Sequence, residues 1–338
     1  MATAIPLSRP DAPPATSGVG PACALLALAA GAALLAGWVP LAFSIVTVFL
    51  FAGPHNWAEA RYFLGRLPAR AGKLWGFFLT SFVGVVGLTA GFAAIPWLAG
   101  LAGWGPDSWL TAVAVWNTAL VGWVLVLVRM RSRTNPRRDW GWVAPVALVA
   151  LAGNWLAPLA AGLALVYLHP LMALWVLDRE LLRSRPGWRR AYHASLLALP
   201  VLALALWLRL HDAPPLPGDS ELSRAIAGHA GANVLMGVSS HFLVALHTFL
   251  EMVHYGVWVV AIPLIGWRSA PWRLHTVPAA RRSPRWHRAV GLLLLVGLSA
   301  VLLLWAAFLV DYTVTRQVYF TVALLHVLAE VPFLLRAL

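Results

Sequence analysis

Three copies of one spacing carry most of the chemistry available to this chain. His55 and Glu59, His247 and Glu251, and His326 and Glu330 each form His-x-x-x-Glu inside an apolar stretch. A separation of four puts both side chains on one helix face, one turn apart. His254 follows Glu251 by three, so His247, Glu251 and His254 share a stripe. His169 adds a fifth imidazole in an apolar stretch of its own. An ionisable group at the centre of a membrane span costs about 2.5–3.5 kcal/mol on insertion scales, which makes such residues functional candidates. Neutral imidazole ligates iron, copper, zinc or nickel. A carboxylate one turn away can accept from the other ring nitrogen or coordinate the metal itself. Glu251-x-x-His254 also matches the Glu-x-x-His element of di-iron bundles. The one cysteine, Cys23, lies in an apolar run, so no disulfide framework or thiolate site is available and non-haem iron is the expected metal.

Other histidines read differently. His193, His211, His229, His275 and His287 lie near loops, where solvated or interfacial roles are expected. His241 falls off the His247 stripe, and Asp178 is out of phase with His169. Arg61 could pair with Glu59 or a lipid phosphate, and Asp311, Arg316 and Tyr319 are expected to cap or pair locally.

These residues need helices in a bilayer to hold them. Of the 338 residues 61% are hydrophobic and 11% charged, with a mean hydropathy of +0.77. That leaves too little polar surface for a water-soluble globule. A spanning helix needs about 20 apolar residues. Charge clusters and Pro/Gly breaks divide the chain into ten such segments, at 21–38, 41–62, 74–98, 109–129, 141–156, 158–180, 192–209, 240–267, 289–310 and 315–336. The weakest boundaries are at Pro40 and at Asn154–Pro158. Residues 1–20, rich in Pro, Ala and Ser, read as a flexible arm, and 21–338 as one all-α transmembrane domain. Residues 210–239 read as a loop leading into a short or re-entrant helix.

The net charge of +13 is an orientation signal. With ten spans and an inner N-terminus, 22 of the 25 basic residues fall on the inner side, which leaves only Arg209, Arg224 and Arg316 outside. Both termini then face the cytoplasm. Short Arg clusters between apolar runs also argue against a nucleic-acid-binding face. Trp38, Trp104, Trp140, Trp142 and Trp267 fall at span ends, as interfacial anchors do. The expected setting is a bacterial inner membrane, and nothing in the sequence reports an oligomeric state.

Topology then groups the imidazoles. His55, His169, His247 with His254, and His326 lie on spans two, six, eight and ten, all running outside to inside. His55, His169, His254 and His326 sit about 9–20 Å from the inner ends at 1.5 Å per residue, and His247 lies nearly two turns further out. Three functions use such groups: a metal-dependent oxygenase, a proton- or cation-coupled transporter working through His/Glu relays, and a b-type haem electron carrier.

The same residues resemble the Brp/Blh family of integral-membrane β-carotene 15,15'-dioxygenases. That family carries an early Gly-x-Pro-His followed one turn later by an acid, and this chain has Gly53-Pro54-His55-Asn56-Trp57-Ala58-Glu59. The family closes with His and an acid one turn on, as in His326-Val327-Leu328-Ala329-Glu330. His169, His241-Phe242, His247 and His254 are the available matches to its middle motifs. The family's acid is usually Asp rather than Glu, and its residue between Gly and Pro is missing here. The resemblance implies Fe(II) held by four histidines, taken as His55, His169, His254 and His326 with His247 as alternate. It also implies dioxygen and a lipophilic polyene as reactants, and Glu59, Glu251 and Glu330 as catalytic-site carboxylates that orient the imidazoles.

Overall fold

The computed structural model describes residues 18–68, 72–265 and 273–337. Most of the expected arm 1–20 lies outside the described residues, as do Arg70, Arg268 and Trp267. Among the described residues the fold is helical throughout, without a strand. In chain order the helices are α1 (Val19–Trp38), α2 (Pro40–Arg66), α3 (Trp75–Ala102), α4 (Pro106–Thr134), α5 (Val143–Leu156), α6 (Pro158–Ser184), α7 (Arg189–Leu196), α8 (Ala198–Leu210), α9 (Glu221–His229), α10 (Ser240–Gly256), α11 (Ile262–Ile265), α12 (Pro284–Val310) and α13 (Tyr312–Ala337). Helices α7 and α8 continue one another, and a π-type turn, Val257–Ala261, joins α10 to α11.

Among the described residues nine helical segments are long and apolar enough to cross a membrane. They match nine of the ten expected segments. The tenth, expected at 141–156, is the 14-residue α5. At 1.5 Å per residue it is about 21 Å long, short of a hydrocarbon layer of about 30 Å. Near its exposed junction with α6, Asn154 is buried against α4. Asn117 Nδ2 on α4 donates to Asn154 Oδ1 (2.8 Å) and to Pro158 O (3.2 Å), and Asn154 Nδ2 donates to Ala114 O (2.8 Å). This amide pair satisfies polar groups beside a helix break. Because Asn117 is eleven residues into α4, the break sits about 16 Å below the start of α4. The α4–α6 seam is therefore open above it.

Hydrogen bonds at the two ends of the bundle show which helices run together. At one end Arg66 pairs with Glu180, Tyr62 donates to the same carboxylate (3.0 Å), Arg336 donates to Arg66 O (3.1 Å) and Arg131 donates to Leu335 O (3.2 Å). The C-terminal ends of α2, α4, α6 and α13 thus meet, their carbonyls capped by arginines, as the helix dipole favours. Trp258, just beyond α10, packs on Tyr62 and Phe63 at this end. At the other end Tyr312 donates to Ile45 O (3.1 Å) and Tyr167 to Leu243 O (3.2 Å). So α2, α6, α10 and α13, which carry the histidines, run in one direction.

Small residues draw the helices together. Ala29, Ala32, Ala33 and Ala36 form a buried stripe on α1, which packs along α10. Gly256 permits that approach, since a Cβ there would stand 2.6 Å from Leu28. The outward faces carry large apolar side chains, as at Phe82 and Val83 on α3 and Leu302, Leu303 and Leu309 on α12.

Candidate metal centre

Each histidine arrives on a locally distinctive turn. Pro54 and Pro170 lie inside α2 and α6 beside His55 and His169. A proline removes one helical hydrogen bond and loosens the turn it occupies. The His55 ring Nδ1–H donates to Phe51 O at 2.7 Å. That contact assigns the tautomer and leaves Nε2 with a free lone pair facing the interior. His254 ends the regular part of α10, just before the π-type turn, and such turns are frequent at functional sites.

The four imidazoles meet. Ring centroids of His55 lie 5.4 Å from His254 and 5.2 Å from His326, and those of His169 lie 4.6 Å from His254 and 5.1 Å from His326. His326 Nε2 and His169 Nε2 are 3.3 Å apart. Potential ligand atoms of His55, Glu59, His254 and His326 all fall within 4.8 Å of one another, and so do those of His169, His254 and Glu330. His254 belongs to both sets, so the two adjoin.

The carboxylates pair across helices more than along them. Glu330 Oε2 sits 3.3 Å from His169 Nδ1 on α6, rather than serving His326 on its own helix. Only the His247–Glu251 copy makes the contact its spacing suggests, at 3.5 Å. Glu59 and Glu330 are 1% and 0% exposed, and among the described residues neither forms an ion pair with Arg or Lys. Arg61, the cation nearest Glu59 in sequence, instead donates to Thr276 Oγ1 (2.7 Å) and Arg273 O (3.3 Å).

The set fits a divalent cation. His55 Nε2, His254 Nε2, Glu59 Oε2 and Glu330 Oε1 are buried without a hydrogen bond inside the protein. Each such orphan costs about 1–3 kcal/mol, and more where it is charged. Two buried carboxylates without an Arg or Lys partner among the described residues need positive charge close by. A bound metal ion supplies it and also takes up the imidazole lone pairs. Comparison with family models, with curated proteins and with solved structures finds no match for this chain.

His247 does not join this group. It lies with Glu251 and His229, a second set whose ligand atoms fall within 4.8 Å. The alternate-ligand role expected of His247 is thus spatially separate from the four-imidazole group. The interfacial role expected of His229 is also corrected. Its ring packs on His247 (centroids 5.0 Å) and Phe320 (4.1 Å) and borders the central cavity. Removal from water, then His247 and Arg316, hold His229 well below the ordinary imidazole range. Arg316 and Tyr319, read as end-of-helix residues, are buried, and only Asp311 caps locally, accepting from Val314 N at 3.0 Å. Tyr255 was missed by sequence reasoning, although it adjoins His254 and falls one turn after Glu251. Its ring stacks on His55 at 4.2 Å, and its hydroxyl donates to Glu251 Oε1 at 3.5 Å. His241 Nδ1–H donates to Pro214 O in the loop before it, and Asp178 pairs with Arg189 and His193.

One cavity of about 370 Å³ touches both groups. His55, His169, His254 and His326 border it, as do His229, His247 and Glu251. The rest of its wall is largely apolar: Phe92 and Ile95 of α3, Trp109, Val113 and Trp116 of α4, and Pro158, Leu159 and Gly162 of α6. These are the residues around the seam that the short α5 leaves open.

Proposed function

We propose that this protein is an integral-membrane non-haem iron oxygenase acting on a lipophilic polyene, of the carotenoid or apocarotenoid class. One observation carries the reading: four imidazoles from four parallel helices, with two buried carboxylates that have no Arg or Lys partner among the described residues, stand at the wall of an apolar cavity. The exposed apolar helix faces support a bilayer setting. The Arg-rich ends of α2, α4, α6 and α13 support a cytoplasmic placement of that end and of both termini.

Ferrous iron, when bound, supplies activation of dioxygen. His55, His169, His254 and His326 would hold it. Phe51 O orients His55 by accepting from its Nδ1–H, and Glu330, 3.3 Å from His169 Nδ1, holds the Nδ1 side of that ring, so that each Nε2 points inward. Glu59 and Glu330 balance the ion's charge. The apolar wall excludes water from the reacting bond and receives a substrate arriving sideways from the lipid through the α4–α6 seam. Cleavage of one carbon–carbon double bond by one dioxygen gives two aldehydes. Both oxygen atoms are accounted for, and no external reductant is needed.

The test is metal analysis of the detergent-purified protein, together with expression in a host that makes β-carotene. Stoichiometric iron and loss of carotene colour are expected. Iron-free protein that leaves carotene intact overturns the proposal.

A further inference from the structure

We infer that His229, His247 and Glu251 form a recognition subsite for an oxygen-bearing end of the polyene, a hydroxyl or carbonyl, and not a second metal site. The inference rests on the oxygenase reading and names the substrate class more narrowly. The three residues could by spacing ligate an ion, since their donor atoms lie within 4.8 Å of one another. Charge decides against it. Arg316, 4% exposed on α13, is a buried cation whose charge acts on Glu251, His229 and His247 without an ion pair to Glu251 among the described residues. Its guanidinium lies over the Phe320 ring at 4.5 Å, and His229 packs on the same ring at 4.1 Å. One carboxylate and one guanidinium already sum to zero, so a divalent cation would leave a buried excess of positive charge.

A neutral polar group fits instead. Glu251 is 7% exposed, its Oε2 makes no hydrogen bond of ordinary geometry, and it borders the cavity. A ligand hydroxyl can donate to that oxygen while its own oxygen accepts from an imidazole N–H. A hydrocarbon end would leave these groups unpaired, and a site built around buried polar groups rejects such a ligand. His247 precedes His254 by seven residues on α10, which sets the polar end about 10 Å from the metal centre. The reacting double bond therefore lies about that far from the oxygenated terminus.

The probes are β-carotene and β-cryptoxanthin, which differ by one ring hydroxyl. Binding to iron-loaded protein in detergent, without dioxygen, is followed by quenching of the tryptophan fluorescence. Wild-type protein is expected to favour β-cryptoxanthin by about tenfold, equal to about 1.4 kcal/mol. His247→Leu should remove that preference, by weakening β-cryptoxanthin binding and tightening β-carotene binding, and leave the iron content unchanged. His247→Gln, which keeps a donor, should restore part of the preference. Loss of one metal equivalent in His247→Leu, or equal loss of both ligands, overturns the subsite while the oxygenase reading stands. A wild-type protein that binds both polyenes alike does the same. Iron-free wild-type protein that binds neither polyene overturns both.

Discussion

The two histidine–carboxylate groups on this cavity are built from the same spacing and differ in one respect, their balance of charge. Around His55, His169, His254 and His326 stand Glu59 and Glu330, with no Arg or Lys ion-paired to either among the described residues. Around His229 and His247 stand Glu251 and the buried Arg316. The first group is left with uncompensated negative charge and imidazole lone pairs that converge. The second is already neutral. A repeated motif is therefore not a repeated function, because low polarity makes each buried charge costly until a partner is found. Tyr255 connects the two, stacked on His55 and bonded to Glu251.

Four substitutions break or sharpen this contrast. The largest effect is expected from His254→Ala, because His254 belongs to both ligand sets of the first group. Iron should be lost from the purified protein and polyene cleavage should fall at least about a thousandfold, the scale on which metal-dependent chemistry fails without its ion. Retention of stoichiometric iron would remove His254 from the centre. Next come two matched carboxylate changes. Glu330→Gln removes a balancing charge and the partner of His169, and should weaken iron affinity about 10–100-fold in a chelator competition, as loss of such partners does. Glu251→Gln should leave iron affinity within about twofold, since its carboxylate answers Arg316 rather than an ion. Equal losses in the two variants would erase the distinction between the groups. The smallest effect is expected at the seam. Gly162 borders the cavity, and a Cβ there meets nothing within 4 Å. Gly162→Phe should fill the route and lower kcat/KM about tenfold, about 1.4 kcal/mol, with iron content unchanged. Steady-state kinetics alongside metal analysis separates this from damage to the centre.

Much of the architecture is legible in the chain. Nine of ten expected spans are present as long apolar helices, and both doubtful boundaries, at Pro40 and at Ala157–Pro158, are true breaks. The fifth span was overread because apolarity alone cannot distinguish a 14-residue helix ending on a buried amide pair from one that crosses. Asn117 and Asn154 find each other only in three dimensions. The meeting of His55, His169, His254 and His326 was legible from the shared direction and similar depth of their helices. The partner of each imidazole was not.

By itself, the sequence determined composition, the number of long apolar helical segments to within one, the direction common to the histidine-bearing helices, and which ionisable residues are buried at a cost. These follow from local periodicity and from the energetics of apolar runs, which every residue reports independently. Only the tertiary structure decided that Glu330 serves His169, that His229 joins His247, and that Arg316 is buried on the side of the second group. Those outcomes depend on how helices are rotated against one another, which is set by packing such as Gly256 on Leu28 and is written in no single stretch of chain.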